Sequence, residues 1–209
     1  MRRILMKYIL YLLIFFTLQC ASFLKGNRPI VNQNFTQSGR VISYELVGWK
    51  GKENKIKATE ILKALHKSNR FKEISHFVKS ESEWKIQIIL EDSPEFAILL
   101  NEPVQPVSWM VEKFPLKYSL YLLNRIISMS TRLLIPVLSV SEDVITFRIW
   151  KSNQKMEEYS YTIEKWRTFG WISLVLIPFD DRKELKEVYK DYALKFLNDS
   201  EKIYEQSKD

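Results

Sequence analysis

Alternation and helical spacing divide most of the chain into short elements. Residues 40–49, RVISYELVGW, put Ile42, Tyr44 and Leu46 on one side of an extended segment rich in Val, Ile, Tyr and Trp, which predicts a strand. GKENK predicts a turn, and KATEILKALHKSN then places Ala58, Ile61, Leu62 and Leu65 on one helical stripe. RFKEISHFV predicts a second strand, and WKIQIIL a third, with Trp84, Ile86, Ile88 and Leu90 alternating against Lys85 and Gln87. The order strand, helix, strand, strand over 40–91 describes a compact α+β unit.

Farther on, residues 94–108 hold three prolines around an apolar clump, a pattern of extended chain and turns. Segment 116–138, LKYSLYLLNRIISMSTRLLIPVL, aligns Leu116, Leu120, Leu123, Ile127 and Leu134 on helical spacing. Arg125 and Arg132 would be costly at the centre of a bilayer, which speaks against a spanning helix. A buried helix, a strand-turn-strand ending at Pro136 and an amphipathic segment lying on a membrane all fit the spacing. DVITFRIW (143–150) and EEYSYTIEKW (157–166) predict two strands joined by a polar loop, and FGWISLVLIPF predicts a strand buried on both faces. Asp181, with Glu184 three residues on, marks the start of a long helix whose stripe is Leu185, Val188, Tyr189, Tyr192, Phe196 and Leu197. Residues 198–209 are expected to fray or continue it.

The N-terminus follows a different pattern. Arg2, Arg3 and Lys7 precede an apolar run from Tyr8 to Leu18. That is an export-signal layout, shorter than the roughly 20 apolar residues of a spanning helix. The run leads into Thr17-Leu18-Gln19-Cys20-Ala21-Ser22, and Cys20 is the only cysteine in 209 residues. This stretch resembles the lipobox of bacterial lipoproteins, and its relaxed form is similar to those of spirochaete lipoproteins. The resemblance implies a signal peptide over 1–19, a Cys20 whose thiol carries fatty acid such as palmitate, and a lipid-anchored place in the cell envelope. With no Asp after the cysteine, it implies the outer membrane. Residues 20–39, rich in Asn, Gln, Ser and Gly, are expected to form a flexible tether.

One α+β domain is therefore expected over 40–197, a mostly antiparallel sheet with two main helices, in which 40–101 and 107–197 either share one sheet or form two subdomains. The strand-helix-strand order with Ser68-Asn69-Arg70-Phe71-Lys72-Glu73-Ile74 is similar to the N-terminal parts of several small envelope lipoprotein families. That likeness implies no catalytic residues.

Charge changes the picture little. The chain has 32 basic and 25 acidic residues, a net of +7 that falls to +4 once Arg2, Arg3 and Lys7 leave with a signal peptide. The charges are interspersed, which describes a solvated surface rather than a nucleic-acid patch. A hydrophobic share of 46% with six Trp, ten Tyr and twelve Phe is ample for a core.

Candidate chemistry is sparse. His66 and His76 have no second ligand at metal-binding spacing. The five glycines form no phosphate loop, and no nucleophile elbow is present. The sequence therefore predicts no catalytic residue, metal or cofactor. The remaining signal is the aromatic set Trp150, Tyr159, Tyr161, Trp166 and Trp171, which suits either a core or a binding surface. The expected role is a non-enzymatic binding or scaffold module whose partner is an envelope protein, peptidoglycan or lipid. Two alternatives remain, an envelope hydrolase or transferase with a site of its own kind, and a membrane-interacting protein using segment 116–138.

Overall fold

The computed structural model describes residues 20–31, 35–77, 82–92, 111–112 and 115–206. Among these, six strands occur: β1 (Cys20–Lys25), β2 (Val41–Val47), β3 (Glu73–His76), β4 (Trp84–Asp92), β5 (Val137–Lys151) and β6 (Gln154–Phe169). The helices are α1 (Gly51–Lys67), α2 (Pro115–Ser130), α3 (Trp171–Leu176), α4 (Arg182–Asp199) and α5 (Glu201–Gln206), with a 3-10 turn at Ile177–Phe179. The fold is α+β, as expected. Residues 1–19, expected to form a signal peptide, and the proline-rich 94–108 lie outside the described residues.

Hydrogen-bonded neighbours follow the order β1-β6-β5-β4-β2-β3. The sheet is mixed. β1 pairs antiparallel with β6, whereas β2 pairs in parallel with both β3 and β4. The cause is α1. A strand followed by a helix returns to the end from which it started, so β2-α1-β3 is a parallel crossover. β5 and β6 join through Ser152 and Asn153, both with positive φ (47° and 65°), the backbone of a two-residue hairpin turn that matches strand twist.

The chain forms two compact units, each assembled from three stretches. Unit 2 comprises Gly26–Glu91, Asp143–Ile163 and Lys183–Asp209. Its core lies between one sheet face and two helices. Ile42, Trp84, Ile86, Ile88, Ile145, Phe147 and Ile149 come from the strands, Ile61 and Leu65 from α1, and Val188, Tyr189, Phe196 and Leu197 from α4, all buried. Phe196 stacks on Phe147 with centroids 4.4 Å apart and planes 8° from parallel. The GKENK stretch is the first turn of α1 rather than a connection. At Gly48 (φ +85°) an added Cβ would collide with the Leu90 carbonyl, so only glycine fits. Residues Glu201–Gln206 form a further helix. α5 buries Tyr204 against Phe71 and Trp84, at 5.3 and 5.5 Å between centroids.

Unit 1 comprises Met1–Lys25, Asp92–Glu142 and Glu164–Arg182. Residues 20–25, expected in the tether, form β1, in register with β6 from Cys20↔Phe169 to Lys25↔Glu164. The FGWISLVLIPF stretch is not a strand. β6 ends at Phe169, and Gly170 turns the chain into α3 and the 3-10 turn. Gly170 has φ +145°, and a Cβ there would stand 2.7 Å from the Leu133 carbonyl oxygen. Segment 116–138 is a helix followed by a strand: α2 ends at Ser130, the chain turns, and β5 starts at Val137.

Candidate interaction surface

α2 is amphipathic in the reverse of the usual sense. A helix on a soluble protein turns its apolar stripe inward and its polar face to water. In α2 the fully buried side chain is Ser128, at 0% exposure, while Leu116 and Ile126 are 73% and 63% exposed, and Leu120, Leu123 and Ile127 are exposed beside them. The inward contacts are polar. Asn124 donates from Nδ2 to the Pro136 carbonyl at 3.1 Å and accepts at Oδ1 from the Leu138 amide at 2.8 Å. Its side-chain amide thus behaves as one more residue of strand pairing for the start of β5. Arg125 donates to the Tyr121 hydroxyl at 3.0 Å.

The hydroxyls of this helix turn back on its own backbone. Ser119 donates to the Pro115 carbonyl, Ser128 to Asn124, Ser130 to Ile126 and Thr131 to Ile127, all at 2.7–2.9 Å. Such bonds to the carbonyl four residues back satisfy a hydroxyl without water. The outward hydroxyls of α2 are therefore satisfied within the helix, and the exposed Lys117 pairs with Glu142 at 3.2 Å.

Two neighbouring elements of unit 1 repeat the inversion. At the start of β5, Val137 and Ser141 are buried while Leu138 and Val140 are exposed. In α3, Ser173 is fully buried and shares a hydrogen bond of 3.0 Å with Thr168, whereas Ile172 and Val175 are exposed, as is Phe179 just beyond. Serine is buried and aliphatic side chains are exposed on α2, at the start of β5 and on α3, while Ala21, Phe23, Val137 and Phe169 supply apolar burial elsewhere in the unit. Contiguous apolar surface left to solvent marks an interaction site.

The edge of unit 1 is closed by carboxylates. The outward amides of Ser22 and Leu24 on β1 donate to Asp180 Oδ1 at 3.3 Å and Asp181 Oδ2 at 3.2 Å, and the Asp181 amide donates to the Ser22 carbonyl at 2.9 Å. These contacts occupy the open side of an edge strand, which would otherwise pair with another chain. Asp181, expected to cap α4, thus also holds β1. The hydrogen bond from Lys25 to Glu164 raises the pKa of the Lys25 ammonium above its ordinary value.

Among the aromatic residues singled out from the sequence, the structure does not gather all five into one unit. Tyr159 and Tyr161 lie on β6 in unit 2, where both hydroxyls reach Asp199, Tyr159 to its carbonyl at 3.2 Å and Tyr161 to Oδ2 at 2.6 Å. Burial is the main reason the Tyr161 phenol is pushed well above its usual range, and the Asp199 bond adds to it. Trp150, half-buried on β5, has the Lys85 ammonium 5.4 Å from its ring. Trp166 and Trp171 belong to unit 1. Trp166 stacks on Phe23 at 4.6 Å, and the Trp171 indole donates to the Arg132 carbonyl at 3.1 Å. Trp171 thereby stands at the C-terminal end of α2.

Two charged clusters escaped the sequence reading. In unit 2 the buried Lys57 ammonium lies 2.9 Å from Asp143 Oδ2, which also accepts the Tyr189 hydroxyl. The signal was present, since Lys57 sits on the α1 stripe beside Ala58 and four residues before Ile61. The second is Arg70, 2% exposed, which donates to the Thr36 carbonyl at 2.7 Å and to Glu201 at 3.1 Å. Both clusters bind elements of unit 2 to one another. His66 is exposed on α1, and the His76 ring packs edge-on against Tyr44 at 5.2 Å. Among the described residues no group of three or more His, Cys, Asp or Glu could hold a metal ion, and no helix is long and apolar enough to cross a membrane.

No protein-family model matches the chain, and no curated protein matches it. Similar solved structures include a minor lipoprotein from Acinetobacter baumannii, at 14% identity over 78% of this chain and 91% of that one, with a TM-score of 0.36. Another is rare lipoprotein B from Shewanella oneidensis, at 11% identity over 79% of this chain and 99% of that one, with a TM-score of 0.40. Both are bacterial lipoproteins. At these identities and scores the likeness carries no argument about function, which rests on this chain's own residues.

Proposed function

We propose that the chain is a lipid-anchored lipoprotein of the bacterial cell envelope, held through Cys20, that binds or positions a partner and does no catalysis. The observation that carries this reading is the junction at Cys20. The basic head and apolar run lead into that residue, and Cys20 itself lies in β1, opposite Phe169 of β6. An acylated Cys20 would therefore stand in the paired sheet. The outer membrane is the destination that the absence of Asp after the cysteine implies. A single acyl chain anchors marginally and two hold firmly, so a multiply acylated Cys20 keeps the domain at a membrane without a spanning helix.

The apolar outward face of unit 1 supports a binding role, because it offers a partner of matching polarity a large desolvation gain of roughly 25 cal/mol per Å² covered. Protein, peptidoglycan and lipid are the partner classes an envelope offers. The experiment is metabolic labelling with radioactive palmitate. Label on the wild-type chain and none on Cys20→Ser is the expected result, because acylation requires the thiol. Equal label on both would overturn the anchor.

A further inference from the structure

We infer that the outward face of α2, with Leu138 and Val140 of β5 beside it, lies on the lipid bilayer itself, so that unit 1 is held at the membrane by a protein surface as well as by the acyl chains. The inference rests on the proposed anchor at Cys20 and goes beyond it, since an anchor alone leaves the domain free to face any direction.

Three observations select lipid over a protein partner. The first is continuity. Cys20 begins β1, a strand of the same compact unit as α2. No flexible linker separates the proposed acylation site from unit 1, so this unit is the part brought to the headgroups. The second is the hydrogen-bonding state of the face. Ser119, Ser130 and Thr131 direct their hydroxyls to carbonyls of their own helix. The surface therefore carries few unsatisfied donors and suits an apolar medium, where an unmatched polar group is costly. A protein interface of standard kind would instead offer polar groups to pair across it.

The third is charge. From Pro115 to Val140 the sequence contains Lys117, Arg125 and Arg132 and no acidic residue. A basic amphipathic helix of this kind lies in the interface plane of membranes that contain anionic lipid. Tyr118 and Tyr121 stand half-buried on α2 and Trp171 at its end, and such side chains, apolar with a polar tip, settle at headgroup depth. A 16-residue helix is too short to span a bilayer and long enough to lie on one.

The test places one environment-sensitive fluorophore on each of two exposed apolar positions, of which Ile126 is the more exposed at 63% against 42% for Ile56. Full-length Ile126→Cys (α2, unit 1) and Ile56→Cys (α1, unit 2) are purified from membranes and labelled with a nitrobenzoxadiazole maleimide. They are then reconstituted into vesicles of phosphatidylglycerol and phosphatidylethanolamine. The wild-type chain taken through the same labelling supplies the background. Position 126 is expected to emit at shorter wavelength and to be quenched several-fold less by aqueous iodide than position 56. Its shielding is expected to weaken in vesicles of phosphatidylcholine alone.

Equal iodide quenching at 126 and 56 in the anionic vesicles would overturn the inference. So would shielding of 126 in native membranes but not in pure lipid, which would assign the face to a protein. Failure of the anchor shows separately, as dye incorporated into the wild-type chain at a free Cys20 thiol, and the difference between Ile126→Cys and wild type still reports on α2.

Discussion

Strand β5 serves both units, and its side chains change role along its length. In unit 2 it turns Ile145, Phe147 and Ile149 into the core and leaves Arg148 outside, 2.6 Å from Glu158. In unit 1 it buries Ser141 and leaves Leu138 and Val140 exposed. Of the described inward positions in unit 1, Val137 is apolar and Ser141 polar, whereas Ile145, Phe147 and Ile149 in unit 2 are all apolar. Helices follow suit. α4 buries Val188, Tyr189, Phe196 and Leu197, whereas α2 buries Ser128 and exposes its leucines and isoleucines. Unit 2 buries the apolar stripes of its helices, whereas α2 of unit 1 leaves its own exposed. A hydrophobic stripe thus tells that a segment is amphipathic and leaves open which side meets the rest of the chain.

The comparison can be broken most severely inside unit 2. Asp143→Ala removes the carboxylate that faces the buried Lys57 ammonium and the Tyr189 hydroxyl. Breaking a buried pair from one side typically costs about 3–5 kcal/mol. That is a large share of the roughly 5–15 kcal/mol that holds a domain, so chemical denaturation should show a much lower midpoint or no folded baseline. Phe196→Ala should cost a similar amount, about 3–5 kcal/mol, through the cavity left against Phe147. Lys186, exposed on the same helix, should tolerate Ala within about 0.5 kcal/mol.

Alkaline pH sharpens the contrast, because the buried phenols are in unit 2. Tyr161 and Tyr204 both have pKa values raised above the ordinary 10.0, chiefly by burial. The unfolded chain therefore releases phenolic protons that the folded chain retains. Stability is whole below pH 10 and falls as pH rises above it. Tyr161→Phe should flatten that fall, measured as the denaturation midpoint between pH 9 and 11 (~1 unit either side of the free phenol). An unchanged slope would mean that Tyr161 titrates freely.

The edge of unit 1 should respond more mildly. Asp181→Ala withdraws the acceptor from the Leu24 amide, and the loss of such a bond typically costs about 1 kcal/mol. Faster hydrogen exchange confined to β1, at Leu24 above all, is the expected outcome. Exchange that rises equally in β4 would contradict the assignment.

Much of unit 2 was legible in advance. The stripe of α4 and the alternation of β4 and β5 each carry their period over enough residues to fix both the element and its buried side, because here burial follows hydrophobicity. The parallel partners of β2 were not, since alternation gives a strand and no neighbour; the helix between β2 and β3 held that information. β1 was hidden by polar, tether-like residues around it, and only Ala21 and Phe23 mark the side that is buried. Segment 169–179 misled because a continuous apolar run does not by itself imply burial, and Val175 is 72% exposed. The aromatic set divides between the units because sequence proximity across a hairpin does not keep side chains within one unit.

The most direct measurement of this difference is a pair of thermal midpoints in detergent-free buffer, using a chain in which Leu123 and Ile126 on α2 are both changed to Glu. Their side chains are exposed, so the double substitution should leave the midpoint within the scatter of ordinary surface changes, about 0.5 kcal/mol, while making the protein more soluble and less prone to bind vesicles. Phe196→Ala, measured beside it, should fall by several degrees or more. A collapse of Leu123→Glu/Ile126→Glu comparable to that of Phe196→Ala would mean that α2 turns its apolar face inward, and the opposition between the two units would be wrong.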